Sequence, residues 1–297
     1  MNLSTSDSAH TLDNERMFAS DQGQSLQRAD DRDAFDTTAK AADTAPKLTI
    51  FLITEEDPIY VIEFFRVFFA EYPMAELELC GITIEQPFHE SIGQTFRRML
   101  RFYGYRDAIR QGLRFISARV RTDTISALAA SVGVPVVSTR SVNDPKFIQQ
   151  LRAKAPDVII SVAAPEIFRP ELLNVPKLGC INVHSGRLPN YRGMMPTFWQ
   201  MLRGEQAITI TVHKMAHKLD AGDVLATQSY PLRRSDSLDR VIKATKREGA
   251  RLLIRVLRDL RNGQVRPIPL EMADAGYFSF PRPSDVRQFR RLGHRLL

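Results

Sequence analysis

Between residues 48 and 262 the chain alternates two kinds of apolar stretch. Leu48–Thr54 (LTIFLIT) is an unbroken, β-branched run of strand length, and Leu77–Ile84, Val134–Val137, Asp157–Val162, Gly179–His184, Ile208–His213 and Val224–Tyr230 read the same way. Helical spacing fills the gaps: Val61–Phe69 behind the Asp57-Pro58 start signal, about 123–132, about 143–154, and a long helix from about Leu238 to Asn262 behind Ser235 and Ser237. Uninterrupted apolar strands alternating with helices predict an α/β fold: a doubly wound, mostly parallel, Rossmann-like sheet covered on both faces. Residues 1–47 lack any sustained apolar period and are expected to form a disordered tail. Residues 48–262 are expected to be one α/β domain, and 263–297 a short C-terminal extension.

Composition excludes more than it selects. With 43% hydrophobic and 25% charged residues, the chain is neither collagen-like nor multispanning. No apolar run approaches the ~18–20 residues that span a bilayer. The N-terminus has no basic segment followed by an apolar one, so no secretory signal is expected and the cytoplasm is the expected compartment. Cys80 and Cys180 sit in apolar segments, which predicts buried free thiols rather than a disulfide framework or a zinc site; no metal is expected. The net charge of +7 is uneven: residues 1–47 hold nine acidic and five basic residues, while 97–121 hold eight arginines and 282–295 five.

Ligands of open parallel sheets bind outside the carboxyl ends of the strands. The strand Gly179–His184 ends on Asn182 and His184, two apart and therefore on one face. A hydrogen-bonded core histidine beside a turn-holding asparagine is the structural alternative. The turn Leu188-Pro-Asn-Tyr-Arg-Gly193 then re-enters a helix near Pro196. After the next strand, Asp220 precedes Ala221-Gly222, where a sharp bend could aim its carboxylate back at the first strand end.

The order N-x-H, L-P-x-Y-R-G and V-H-x(6)-D-A-G resembles the folate-dependent formyltransferases of glycinamide ribonucleotide, methionyl-tRNA and amino sugars. The similarity covers roughly residues 48–262 and is densest between Asp157 and Tyr230. It implies a formyltransferase fold, 10-formyltetrahydrofolate as co-substrate, and Asn182, His184 and Asp220 as catalytic residues. It also implies two walls of a pterin site: Ala164, Glu166, Ile167 and Phe168 in the loop 163–168, and Met215, Ala216 and His217 in the loop 215–220. In the implied chemistry Asn182 and His184 donate hydrogen bonds to a developing oxyanion. Asp220 holds His184 and relays the amine proton through a water. The family's usual His-Pro-Ser-Leu is replaced by His184-Ser-Gly-Arg187, which puts acceptor recognition in question.

The resemblance leaves the acceptor open. Thr54-Glu55-Glu56-Asp57-Pro58 lacks the glycines and free N–H groups of a phosphate cradle. Its acids, Glu55 above all, could attract a cationic amine, with a solvated helix N-terminus as the plainer reading; Arg187 could meet an anionic acceptor. Transfer RNA is not expected, because the tRNA-handling members carry a further C-terminal domain. An amino-sugar nucleotide or an amino-acid-derived amine remains, with water as acceptor (a hydrolase) or a non-catalytic folate- or partner-binding protein as alternatives. Residues 96–115 interleave arginines with aromatics. The expected reading is a helix packing its apolar side on the sheet with arginines in water, rather than membrane contact. Gly104 and Gly112 argue against one continuous helix. Nucleic-acid binding is not expected, and a homodimer is left open.

Overall fold

The computed structural model describes residues 46–85, 92–121, 123–273 and 275–297, so residues 1–45 of the expected tail lie outside the described residues. The elements begin with β1 (Leu48–Glu55), α1 (Val61–Glu71), β2 (Leu77–Glu85), α2 (Ile92–Tyr103), α3 (Tyr105–Val120), α4 (Ile125–Ser131) and α5 (Pro145–Lys154). Then come β3 (Val158–Val162), α6 (Pro170–Leu173), β4 (Cys180–His184), β5 (Arg192–Gly193), α7 (Pro196–Leu202), β6 (Ala207–Lys214) and β7 (Val224–Pro231). The chain closes with α8 (Leu238–Arg261), β8 (Tyr277–Phe278) and α9 (Pro283–Arg291).

Six strands form one sheet in the order β2-β1-β3-β4-β6-β7. The first four are parallel, and β6 and β7 run antiparallel at the far edge. The order reverses between β1 and β3, the switch point at which doubly wound sheets open a crevice. One face, with Leu52, Ile160, Val183 and Ile210, is covered by α1, α4 and α8. The other, with Phe51, Ile53, Ile159 and Cys180, is covered by α5 and α6. Local signals set the helices. Asp144 caps α5 through Lys146 N–H (2.8 Å) with Pro145 behind it, and Ser237 caps α8 through Arg240 N–H (3.3 Å). Along α8, Val241, Thr245, Gly249, Leu252, Leu253 and Val256 are buried at intervals of three and four, the stripe that packs on the sheet.

Three expectations need correction. Val134–Val137 is not a strand: it makes one bridge, Val136 to Ile82, because Pro135 contributes no donor to a ladder. The segment 96–115 is split at Gly104 (φ +77°) into α2 and α3, as that glycine suggested, but α3 does not lay its apolar side on the sheet. Its buried positions are Ala108, Gln111 and Ala118, while Ile109, Leu113, Ile116 and Val120 face outward. The basic end of the expected C-terminal extension is not a mere appendage: it contains α9, whose Val286 and Phe289 are buried with Phe102, Phe198 and Ile208 in a third cluster. Both cysteines are free, Cys180 buried and Cys80 half-buried; burial pushes the thiols up to about 12 and about 11. Among the described residues no helix is long and apolar enough to cross a membrane.

Candidate active site

Register explains why Asn182 and His184 share a surface. Cys180 lies in the α5-side cluster, so pleating directs Asn182 and His184 to the same face, past the end of the apolar rows. Antiparallel β6 sets His213 opposite Asn182 and Thr211 opposite His184. The chain continues down to Met215, whose N–H meets the Cys180 carbonyl (2.8 Å), then doubles back so that Asp220 returns to the strand end. That reversal needs Gly222, where a Cβ would lie 2.0 Å from the Lys214 carbonyl. It also needs Asp220 itself at φ +48°, a left-handed conformation that aspartate tolerates better than most residues and that costs about 1–3 kcal/mol.

Four polar side chains result at one place. Asp220 Oδ1 stands 3.8 Å from His184 Nδ1 and 3.7 Å from His213 Nε2, and its Oδ2 accepts from Gly193 N–H at 2.8 Å. Asp220, His184 and His213 are all buried, and Asn182 is half-buried. Asn182 was expected to meet His184 and Asp220; its actual side-chain partner is His213, with Nδ2 3.2 Å from Nε2.

The partners fix the protons. His213 Nδ1 lies 2.8 Å from the Lys214 carbonyl, which only accepts, so Nδ1 carries the hydrogen. Nε2 of the neutral ring is then an acceptor for the Asn182 amide, whose second N–H stays available. Burial and the neighbouring His184 push His213 down to about 4, so it is neutral at physiological pH. His184 is pinned the other way round: Nε2 lies 2.7 Å from the Tyr191 carbonyl and must donate to it. Its Nδ1 is the end that faces Asp220, an acceptor when the ring is neutral and a donor only when it is doubly protonated. This revises the expected role, since neutral His184 has no N–H left for an oxyanion. Gly186 makes the pinning feasible, because a Cβ there would sit 2.6 Å from His184 Nε2 and 2.7 Å from the Tyr191 carbonyl.

Two predictions arise here. Gly186→Ala forces the imidazole off Tyr191, and kcat is expected to fall at least about tenfold with the fold retained, as checked by steady-state kinetics beside circular dichroism. For His213 the folded pKa lies below the ordinary 6.5, so the unfolded chain binds the extra proton first and stability falls as pH drops from 6.5 towards 4. His213→Asn is expected to flatten that slope in thermal melts between pH 7 and 4.5.

The two loops read as pterin walls leave the sheet on this same face. Phe168 is buried in the α5-side cluster, with Ala164 and Met215 packed against it, so their side chains belong to the core as much as to any opening. Glu166 accepts from Ser141 Oγ (2.6 Å), and Asn143 ties down the loop by donating to the Ile167 carbonyl (3.0 Å) and accepting from Arg169 N–H (2.8 Å). Ile167, Ala216 and His217 are exposed.

The acids after β1 divide their work. Glu56, buried, accepts from Ile125 N–H (2.8 Å) and Ser126 N–H (3.2 Å) at the start of α4. Asp57 accepts from Ile59 and Tyr60 N–H (2.8 and 3.1 Å) at the start of α1. They are caps rather than a solvated acidic turn. Glu55 closes β1, one residue past the last β1–β3 pair, Thr54 with Val162. Burial and the adjacent Asp57 push it up to about 7, against the pull of Lys246. Arg187, considered for an anionic acceptor, is ion-paired with Glu205 beside the Tyr191 ring.

An open, doubly wound α/β sheet thus carries an amide, two imidazoles and a carboxylate together where β4 ends beside β6. Residues 114–257 match the family model described as "Formyl transferase". A methionyl-tRNA formyltransferase from Geobacillus thermodenitrificans (strain NG80-2) is 37% identical over 145 residues, 49% of this chain and 46% of that protein. The chain thus spans about half the length of the curated relative it matches. Among solved structures, glycinamide ribonucleotide transformylase 1 from Symbiobacterium toebii has a TM-score of 0.54 at 12% identity, covering 75% of this chain and 94% of that one. A sugar N-formyltransferase from Shewanella sp FDAARGOS_354 has a TM-score of 0.52 at 16% identity, covering 83% and 89%. The fold is that of the formyltransferases, as the motifs implied.

Proposed function

We propose that the protein transfers the formyl group of 10-formyltetrahydrofolate to the amine of a small acceptor. The observation that carries this is the meeting of Asn182, His184, His213 and Asp220, with one N–H of Asn182 and the Nδ1 of His184 left for a substrate. The co-substrate supplies the formyl carbon and takes back the leaving electron pair. The amine nitrogen attacks that carbon and a C–N bond forms. The carbonyl oxygen gains charge and accepts from Asn182, which His213 holds in its donating orientation. The amine proton passes to His184 Nδ1, and the imidazolium so formed is paired by Asp220. Its proton then goes to N10 as the bond from the formyl carbon to N10 breaks, which leaves a formamide and tetrahydrofolate. Loops 163–168 and 215–220 suit the pterin through exposed Ile167 and backbone groups rather than charged side chains.

The acceptor reading is an amino-sugar nucleotide or an amino-acid-derived amine, supported by the capped, glycine-free turn after β1. The test is incubation with 10-formyltetrahydrofolate and a panel of amines, methionyl-tRNA included, with mass spectrometry for the formylated product. A formylated small amine is expected. Tetrahydrofolate release without an amine would make the protein a hydrolase, and folate binding without turnover would make it a binding protein.

A further inference from the structure

The surface of α3 is organised the wrong way round for a helix that only covers a core. Tyr105 (73% exposed), Ile109 (43%), Leu113 (63%), Ile116 (60%) and Val120 (78%) recur at intervals of three and four along one outward arc. Small and polar Ala108, Gln111 and Ala118 face inward instead. From Tyr105 to Val120 the stripe runs roughly 23 Å. Single exposed apolar residues are ordinary, but five in one row mark a contact surface.

Charge says what kind of surface it meets. At 100° per residue, Arg106 and Arg110 flank one side of the stripe and Arg119 the other. Arg106 and Arg110 are exposed and make no ion pair among the described residues, as is true of Arg97 and Arg101 on α2. The helix's one acid, Asp107, is turned away from the stripe, with Arg290 at 3.6 Å. A second copy seated here across a two-fold axis would bring like-charged borders together. An apolar layer with anionic headgroups satisfies both the stripe and its rims.

We propose that α3 is a peripheral docking helix for an anionic lipid surface, with Tyr105, Ile109, Leu113, Ile116 and Val120 entering the interface and Arg106, Arg110 and Arg119 meeting headgroup phosphates. This surface lies apart from the candidate active site and does not depend on the activity proposed for it. The full chain is centrifuged with vesicles of phosphatidylcholine alone and of two parts phosphatidylcholine to one part phosphatidylglycerol. Binding is expected only to the second, reversed by high salt. The double variant Leu113→Asp with Ile116→Asp should lose that binding. Arg106→Gln with Arg110→Gln should weaken it about 30-fold, at about 1 kcal/mol for each arginine. All four positions are exposed, so thermal midpoints should stay near wild type. The arginine pair decides the matter if the aspartate pair does not fold. Absent binding to the anionic vesicles, equal binding by wild type and variants, or a wild-type dimer that the aspartate pair splits into monomers would each overturn the proposal.

Discussion

Asp220→Asn is expected to lower kcat for formyl transfer by about 10²–10⁴-fold while leaving the fold intact. The amide oxygen of asparagine can still accept from Gly193 N–H, so the loop keeps the anchor that now measures 2.8 Å. The charge is what disappears. Without it the imidazolium that forms when His184 takes the amine proton loses the partner 3.8 Å from Nδ1. Asn182→Ala removes a different contribution, one hydrogen bond to the charged oxygen, worth about 10²–10³-fold. The two variants should also differ in their pH profiles, because only Asp220 carries a charge that pairs with the imidazolium formed at His184. Full pH–rate curves for both check the assignment, and wild-type turnover in Asp220→Asn would discard it.

Phe289→Ala is expected to destabilise the protein by about 3–5 kcal/mol, read as a lowered denaturation midpoint. The ring is fully buried and stacks on Phe198 with centroids 4.7 Å apart. Phe289 lies outside residues 114–257, the span that the family model matches. Its loss should nonetheless reach the candidate active site. The C-terminal segment pairs Tyr277–Phe278 with Arg192–Gly193, and Met194 N–H meets the Phe278 carbonyl at 2.8 Å. Gly193 in turn holds Asp220. Activity measured well below the midpoint should therefore fall in Phe289→Ala, though the residue touches no substrate.

Much of the fold was legible because local and global signals agree. The uninterrupted runs LTIFLIT and DVIISV can only be central parallel strands, and Asp144-Pro145 and Ser237 are start signals that the structure uses as caps. Asn182 and His184 were legible as a pair from the alternation of a strand. What the sequence withheld is register. Nothing local says that His213 lies opposite Asn182 rather than one residue along, and a shift of one would turn its ring to the other face. The visible signal is the imidazole of the V-H motif, which ends the neighbouring apolar strand. The proton arrangement was hidden for the same reason, since the partners of His184 and His213 are the carbonyls of Tyr191 and Lys214. For α3 the pattern was read correctly and the direction wrongly. Periodicity identifies an apolar arc but not whether it turns inward.

The contacts at Gly186 and Gly222 bear on any attempt to change what the protein accepts. Each glycine is pressed against backbone or ring with no volume for even a methyl group. Randomising either position would mostly yield inactive clones. Arg187 is exposed beside the cluster, where an altered side chain meets water rather than packed backbone. A mutant library seeking new acceptors should concentrate its diversity there.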